Sequence, residues 1–205
     1  MAIAKSVQDK MSGLNSKAFP SYAQPIQGFQ PLKAAQLCAF FASLSKGHIE
    51  KLKLIKLIYL TERKFLNTYS EPILWDEFFS LPHGPICSAT LNCIDGLLFE
   101  QLTSQYFVRQ GNRNIHAVKI FPREDLDALS EAEIETAEFI WREHGSKSAS
   151  KIRNYSHENC PEYYELETGR RPITYQEVLS AEGNPYSEEI AEEILSYRSL
   201  IAEKY

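Results

Sequence analysis

The sequence predicts an α+β fold that is mainly α-helical: a single compact helical domain with a small β-hairpin or short sheet packed on it. Three observations carry this. Several long stretches repeat apolar residues every three or four positions, between proline or serine starts and glycine stops. One region, "SQYFVRQGNRNIHAVKIF", switches to short runs rich in aromatic and β-branched residues around a Gly/Asn turn. No internal repeat or linker divides the chain, and 205 residues are enough for a sizeable core.

The elements follow in order. Residues 1–30 collect Ser, Gln, Gly and Pro, with Phe19, Tyr22, Ile26 and Phe29 at three- and four-residue intervals. They are expected to form a partly ordered N-terminal arm, with residues 31–205 as the body. Pro31 to Gly47 has the proline start and glycine stop of a helix. From His48, "HIEKLKLIKLIYLTERKFLNTY" is expected as a second helix, apolar over most of its circumference and therefore central and buried. "PILWDEFFSL" reads as extended. Pro85 suits a first helical turn, so "PICSATLNCIDGLLF" is expected as a third helix reaching Phe99. The hairpin follows, and then Ser130 and Glu133 form a capping box opening a helix that stops at Gly145. "KSASKIRNYSHEN", "CPEYYELET" and "TYQEVLSAE" are expected as short helical pieces. The last segment is an amphipathic C-terminal helix with an acidic start that suits the helix dipole.

Composition narrows the function. With 43% hydrophobic and 24% charged residues the chain reads as globular, and a net charge of -5 argues against a primary nucleic-acid binder, which needs cations for phosphates. No stretch has the apolar length of a signal peptide or membrane span, so a cytoplasmic protein without a membrane partner is expected. The four cysteines form no CxxC pair, which predicts reduced, buried thiols.

The acidic C-terminal run, Glu182, Glu188, Glu189, Glu192, Glu193 and Glu203, reads either as a solvated face or as an interaction surface for a basic protein. Three chemical sites are also open on the residues. His83 and Cys87 are four apart, the spacing of neighbours on a helix, but Gly84-Pro85 lies between them and no nucleophile motif surrounds the thiol. His157 and Cys160 offer two metal ligands without a second pair. Lys46, Lys51, Lys53, Lys56, Arg63 and Lys64 outnumber nearby acids, a local basic face that fits a DNA-binding regulator if Lys46, Lys51, Lys53 and Lys64 form a continuous exposed stripe. Neither a catalytic residue, a cofactor site nor a metal site is predicted. Lys56, among apolar neighbours, is expected to pair with Glu62, Asp76 or Glu77.

Three motifs carry a resemblance. Lys53-Leu54-Ile55-Lys56-Leu57-Ile58-Tyr59 fits K-L-x-K-L-(L/I)-Y, with Pro72-Ile73-Leu74 about a dozen positions on. Ser80, Gly84 and Pro85 fit a second motif ending in Gly-Pro. Ser156, His157, Pro161 and Tyr163 fit a Ser/Thr-His element followed by Pro and an aromatic. In this order they resemble the Panacea domain, the family of SocA-like, phage-associated antitoxins. Leu81 stands where the family usually has Trp and Ser70 where it has Gly, which marks a divergent member.

The resemblance implies an antitoxin that neutralises a cognate protein toxin by direct, stoichiometric binding, with no enzymatic activity and no cofactor. It makes Lys53, Lys56, Tyr59, Pro72, Gly84, Pro85 and His157 family-motif residues, structural or partner-binding, and "PHGP" a structural corner. Trp75, Phe78 and Phe79 are candidate partner anchors, with Tyr106 and Phe107 also aromatic enough for that role. The alternatives are a DNA-binding regulator, another prophage-associated protein, or an enzyme using Cys87 or His157. The toxin's identity, the interface and the oligomeric state stay open.

Overall fold

The structure is a computed structural model that describes residues 27–202. The expectation of an arm over 1–30, with Phe19, Tyr22 and Ile26, lies almost wholly outside the described residues. At its end, Phe29 is buried against Phe99 and Gln30 N–H donates to Leu74 O at 2.9 Å.

Eight helices and two small three-stranded antiparallel sheets make up the described fold, as the α+β expectation requires. Helix α1 (Pro31–Leu44) starts on its proline. Helix α2 (Lys51–Tyr69) is the axis of the domain: Leu54 to Glu62 are all buried, because α1, α5 (Glu131–His144), α6 (Ala149–Asn159), α7 (Tyr175–Ala181) and strand β3 (Gly84–Cys87) surround it. A helix covered on all sides needs apolar residues around its full circumference, which is how this segment reads. Burying each Leu or Ile contributes roughly 1.5–3 kcal/mol, so α2 anchors the core.

One sheet has the order β1 (His48–Glu50), β5 (Asn114–Ala117), β4 (Phe107–Gln110); the other runs β3, β2 (Phe78–Leu81), β6 (Arg171–Ile173). The expected hairpin is β4–β5, with Phe107 opposite Ala117 and Gln110 opposite Asn114. Its surroundings depart from the expectation. His48–Glu50 is a strand rather than the first helical turn, because Ile49 pairs with buried Ile115 of β5. The third helix, α3 (Ser88–Ile94), begins after Cys87 and stops well before Phe99; Gly84–Cys87 is strand, with Pro85 opposite Ser80. A short α4 (Glu100–Thr103) follows. "CPEYYELET" is not helical: after Asn159 the chain runs as turn and coil to β6.

The local chemistry explains most boundaries. Ser130 and Glu133 form the expected capping box on α5, and Thr174 with Glu177 builds a second on α7. Ser148 Oγ accepts from Lys151 N–H to cap α6. Helix α3 has no cap of its own at Cys87. Asp76 supplies one from thirteen and fourteen residues upstream, accepting from Ala89 N–H and Thr90 N–H at 2.8 Å each and from Thr90 Oγ1–H at 2.7 Å. Helix α2 ends on Ser70 with φ +59, a left-handed conformation that favours glycine. The last helix, α8 (Ser187–Ala202), buries Ala191 and Ile194 and packs against α7.

Candidate functional site

The three motifs meet in one place. The Lys56 side chain, fully buried on α2, donates from Nζ to Pro85 O at 2.7 Å. Among the described residues it has no carboxylate partner: Glu62 Oε1 accepts from Leu74 N–H, Asp76 is committed to α3 and Glu77 is exposed, so the expected ion pair does not form. A main-chain carbonyl satisfies one donor but brings no charge. Burial therefore pulls the amine down from 10.5 to about 7, with the Cys160 and Cys87 thiols acting weakly the other way.

Gly84 makes this approach possible. Its φ is +96, and a Cβ there would lie 2.8 Å from Lys56 Nζ and 3.0 Å from His157 Cδ2 and Nε2. Both the left-handed backbone and the absent side chain are needed. His157 is half-buried; burial lowers its pKa first, then the nearby Lys56 and Arg153 charges, and its Nε2 is buried without a hydrogen-bond partner. The Tyr163 ring lies 4.4 Å from the imidazole, and its hydroxyl donates to Leu81 O at 3.2 Å.

The chain after α6 is thus strapped to both neighbours. Tyr164 N–H donates to Ser80 Oγ at 3.0 Å, while buried Glu162 accepts from Tyr59 Oη–H at 2.6 Å and from Arg63 Nε–H at 2.7 Å. Arg63 also pairs with Glu182. The sequence points to Tyr59, and to Arg63 only as part of a basic face; Glu162 and its pairing with both are not among the sequence expectations. An Arg late in an otherwise apolar helix was the available sign that a carboxylate would be waiting for it.

The other motif residues fall nearby. Pro72 is buried at the start of the strap to β2, and Leu74 N–H in that strap donates to Glu62, whose carboxyl burial pushes up to about 8. Lys53 turns away from the junction: its Nζ donates to Gly145 O at 2.6 Å and lies 5.2 Å from the Trp141 ring.

The thiol-site geometry is not built. On a strand, residues four apart stand about 13 Å from each other, so β3 carries buried Cys87 away from exposed His83. Burial raises the Cys87 thiol well above its usual value, the reverse of what a nucleophile needs. Among the described residues, no group of three or more His, Cys, Asp or Glu is placed to hold a metal ion, and no helix is long and apolar enough to cross a membrane. The four lysines do not form one free stripe: Lys51 pairs with Asp95 and Lys53 is engaged as above, while Lys46 and Lys64 are exposed, Lys64 with its Nζ 5.7 Å from the Phe139 ring.

The aromatic candidates separate by burial. Phe78, 2% exposed, packs edge-on against Tyr59 and Tyr175 beneath the sheet, so it cannot serve as a surface anchor; Phe107 is buried too. Trp75 is half-buried, with φ +54 and its ring 4.9 Å from Tyr197 of α8. Phe79, on the opposite side of β2 from Phe78, is half-buried under Arg170, whose guanidinium is 4.7 Å from the ring. Trp75 thus touches α8, and Phe79 faces it across a cavity that both line. Arg198 holds that helix in place: its Nη2 lies 2.5 Å from Trp75 O, 2.9 Å from Asp76 O and 2.5 Å from Tyr175 Oη. Arg198 also went unnoticed in the sequence, although it is the lone arginine of a strongly acidic helix.

Residues of all three motifs, Lys56, Gly84 and His157 among them, thus meet where α2, β3 and α6 come together. A family model described as antitoxin SocA-like, Panacea domain, matches residues 54–163. That is more than half of the 205 residues, and the chain belongs to this antitoxin-like family. No curated protein and no solved structure matches it.

Proposed function

We propose that this protein is an antitoxin that neutralises a cognate protein toxin by direct, stoichiometric binding, without catalysis and without a cofactor. The family match over residues 54–163 carries the reading. Residues 31–205 are assigned as the binding body and residues 1–30 as an accessory arm. Within the body, Lys56, Tyr59, Pro72, Gly84, Pro85 and His157 are assigned to holding the scaffold, and Lys53 to bracing α2 against the end of α5. An inhibitor that must hold its target inactive needs nanomolar affinity or better, about -12 kcal/mol, which calls for a desolvated, well-packed interface.

The test is co-expression with the product of the adjacent reading frame. A complex that survives size-exclusion chromatography, with protection saturating at molar equivalence, is the expected result. Protection at amounts far below the toxin's concentration would mean turnover and overturn the binding mechanism.

A further inference from the structure

We propose that the groove between α8 and the β2–β6 edge of the second sheet is the surface that docks the toxin, and that it takes a basic segment carrying one large apolar side chain. The inference rests on the antitoxin reading and names its interface.

The groove encloses about 360 Å³, room for one or two large side chains. Its apolar wall is Phe79 and Pro172 on the sheet and Leu195 on the helix, with Leu195 53% exposed. Its acidic rim is Glu77, Glu188 and Glu192, all exposed, and among the described residues none has an ion-pair partner. The cations nearby are already engaged: Arg198 with the Trp75 and Asp76 carbonyls, Arg171 with Glu177, and Arg170 over Phe79. Neither Arg170 nor Arg198 has a carboxylate partner among the described residues, but Arg198 is half-buried and Arg170 lies over the Phe79 ring, so the three exposed carboxylates outnumber the cations and the rim is net negative. That is the complement of a segment in which Lys or Arg flank an aromatic or aliphatic residue.

Two features make the groove a built surface. Arg198, with Ala191 and Ile194 buried beneath, fixes the helical wall, so little ordering cost falls on binding. Pro172 has no N–H, which removes a main-chain donor from the edge strand and leaves recognition to side chains rather than to strand addition. Pro172, Glu188, Glu192 and Leu195 all lie beyond the matched residues 54–163. The surface that reads the partner is thus largely a separate piece of chain from the shared scaffold.

The experiment uses the full chain with the adjacent gene product, in zero-length carbodiimide cross-linking and in binding kinetics of two variants. Cross-links from Glu188 or Glu192 to partner lysines are expected. The double variant Glu188→Lys with Glu192→Lys should slow association about tenfold or more at low salt, a loss that shrinks at high salt as the rim charges are screened. Leu195→Asp should speed dissociation at least about tenfold, as for an anchor at the centre of an interface. Melting temperatures should fall only slightly, because all three side chains are exposed and the only other loss is that of one first-turn acid at the start of α8. If wild type binds and protects while both variants do so equally well, the groove assignment falls and the antitoxin reading stands. If wild type itself neither binds nor protects, the antitoxin reading falls and takes the groove with it. If the variants instead abolish self-association seen by light scattering, the groove is a surface for a second copy of this chain, and the proposal is overturned.

Discussion

The motif junction and the α8 groove treat polar groups in opposite ways. At the junction, Lys56 is completely buried, its amine is satisfied by Pro85 O, and Gly84 leaves no space beside it. At the groove, three carboxylates stand in solvent, without ion-pair partners among the described residues, beside an apolar wall. A side chain that meets another protein must keep something unspent, either exposed apolar area or an unmatched charge. The junction keeps almost nothing exposed; the groove keeps both. Lys56, Gly84 and Pro85 of the junction are thus sealed inside the domain, whereas the proposed docking surface lies largely in the C-terminal segment. Phe78 and Phe79 show the same division at adjacent positions, one sealed in the core and the other at the groove.

The sharpest way to break this contrast is Gly84→Ala. The new methyl would meet the Lys56 ammonium at 2.8 Å while the residue holds φ +96. A left-handed non-glycine residue costs about 1–2 kcal/mol, and displacing packed neighbours adds about 1–3 kcal/mol. A loss of roughly 2–4 kcal/mol in denaturant-unfolding stability is expected, with the surviving folded fraction still binding its partner normally. A variant as stable as wild type but unable to bind would make the junction itself the interface.

Lys56→Met gives the next largest effect, seen as a change in pH dependence. The native amine titrates at about 7 instead of 10.5, so between those values the unfolded chain binds a proton the native chain has released. Stability must then rise with pH through that window, by up to about 1.4 kcal/mol per unit. Below pH 7 both states carry the charge, and the burial cost is constant. Glu62 acts in the opposite sense. Its carboxyl is raised from 4.5 to about 8, so the native state keeps a proton the unfolded chain has lost, and stability falls as pH rises from 4.5 to 8. Removing Lys56 should abolish the rise above pH 7, so the variant compares worse with wild type at pH 9 than at pH 6, by about 2 kcal/mol in urea midpoints converted to free energy. An unchanged pH profile would mean that the buried amine stays charged in the native state.

Much of this fold is legible in the sequence where local chemistry and tertiary demand agree. The α2 axis, the β4–β5 hairpin and the Ser130 capping box each carry their own signal. The misreadings share one cause: a local pattern overruled by a distant partner. Pro85 can begin a helix, but Ser80 waits opposite it and makes it strand. His48–Glu50 continues a helical pattern, but Ile115 pairs with Ile49. Ser70 gives no composition signal, and only its φ of +59 shows why a glycine would suit that position. At the sites, the motif residues could be named but not their partners, because Glu162, Asp76 and Arg198 act across 99 or more residues, or through backbone groups no pattern reports. The acidic run of the C-terminal helix is legible as a possible surface for a basic partner, but the groove needed the structure, since its two walls come from β2–β6 and α8.

Arg198→Ala tests the groove side at the smallest cost to the fold. One guanidinium nitrogen serves the carbonyls of Trp75 and Asp76 and the Tyr175 hydroxyl, and the group lies 5.0 Å from the Tyr175 ring. Losing a charged donor to neutral acceptors costs about 1.5–3 kcal/mol where they are left buried. Here Tyr175 Oη also donates to Asp76 O at 2.6 Å, which keeps that carbonyl paired and places the expected loss near 1 kcal/mol. The effect should be local, because α8 packs chiefly on α7 whereas the core is organised around α2. Hydrogen exchange should quicken across residues 187–202 and stay slow in α2. Partner binding should weaken beyond the stability change, because the wall carrying Glu188, Glu192 and Leu195 is no longer held against the sheet. Exchange that quickens equally in α2 would show α8 to be part of the cooperative core, and the division between frame and surface would fail.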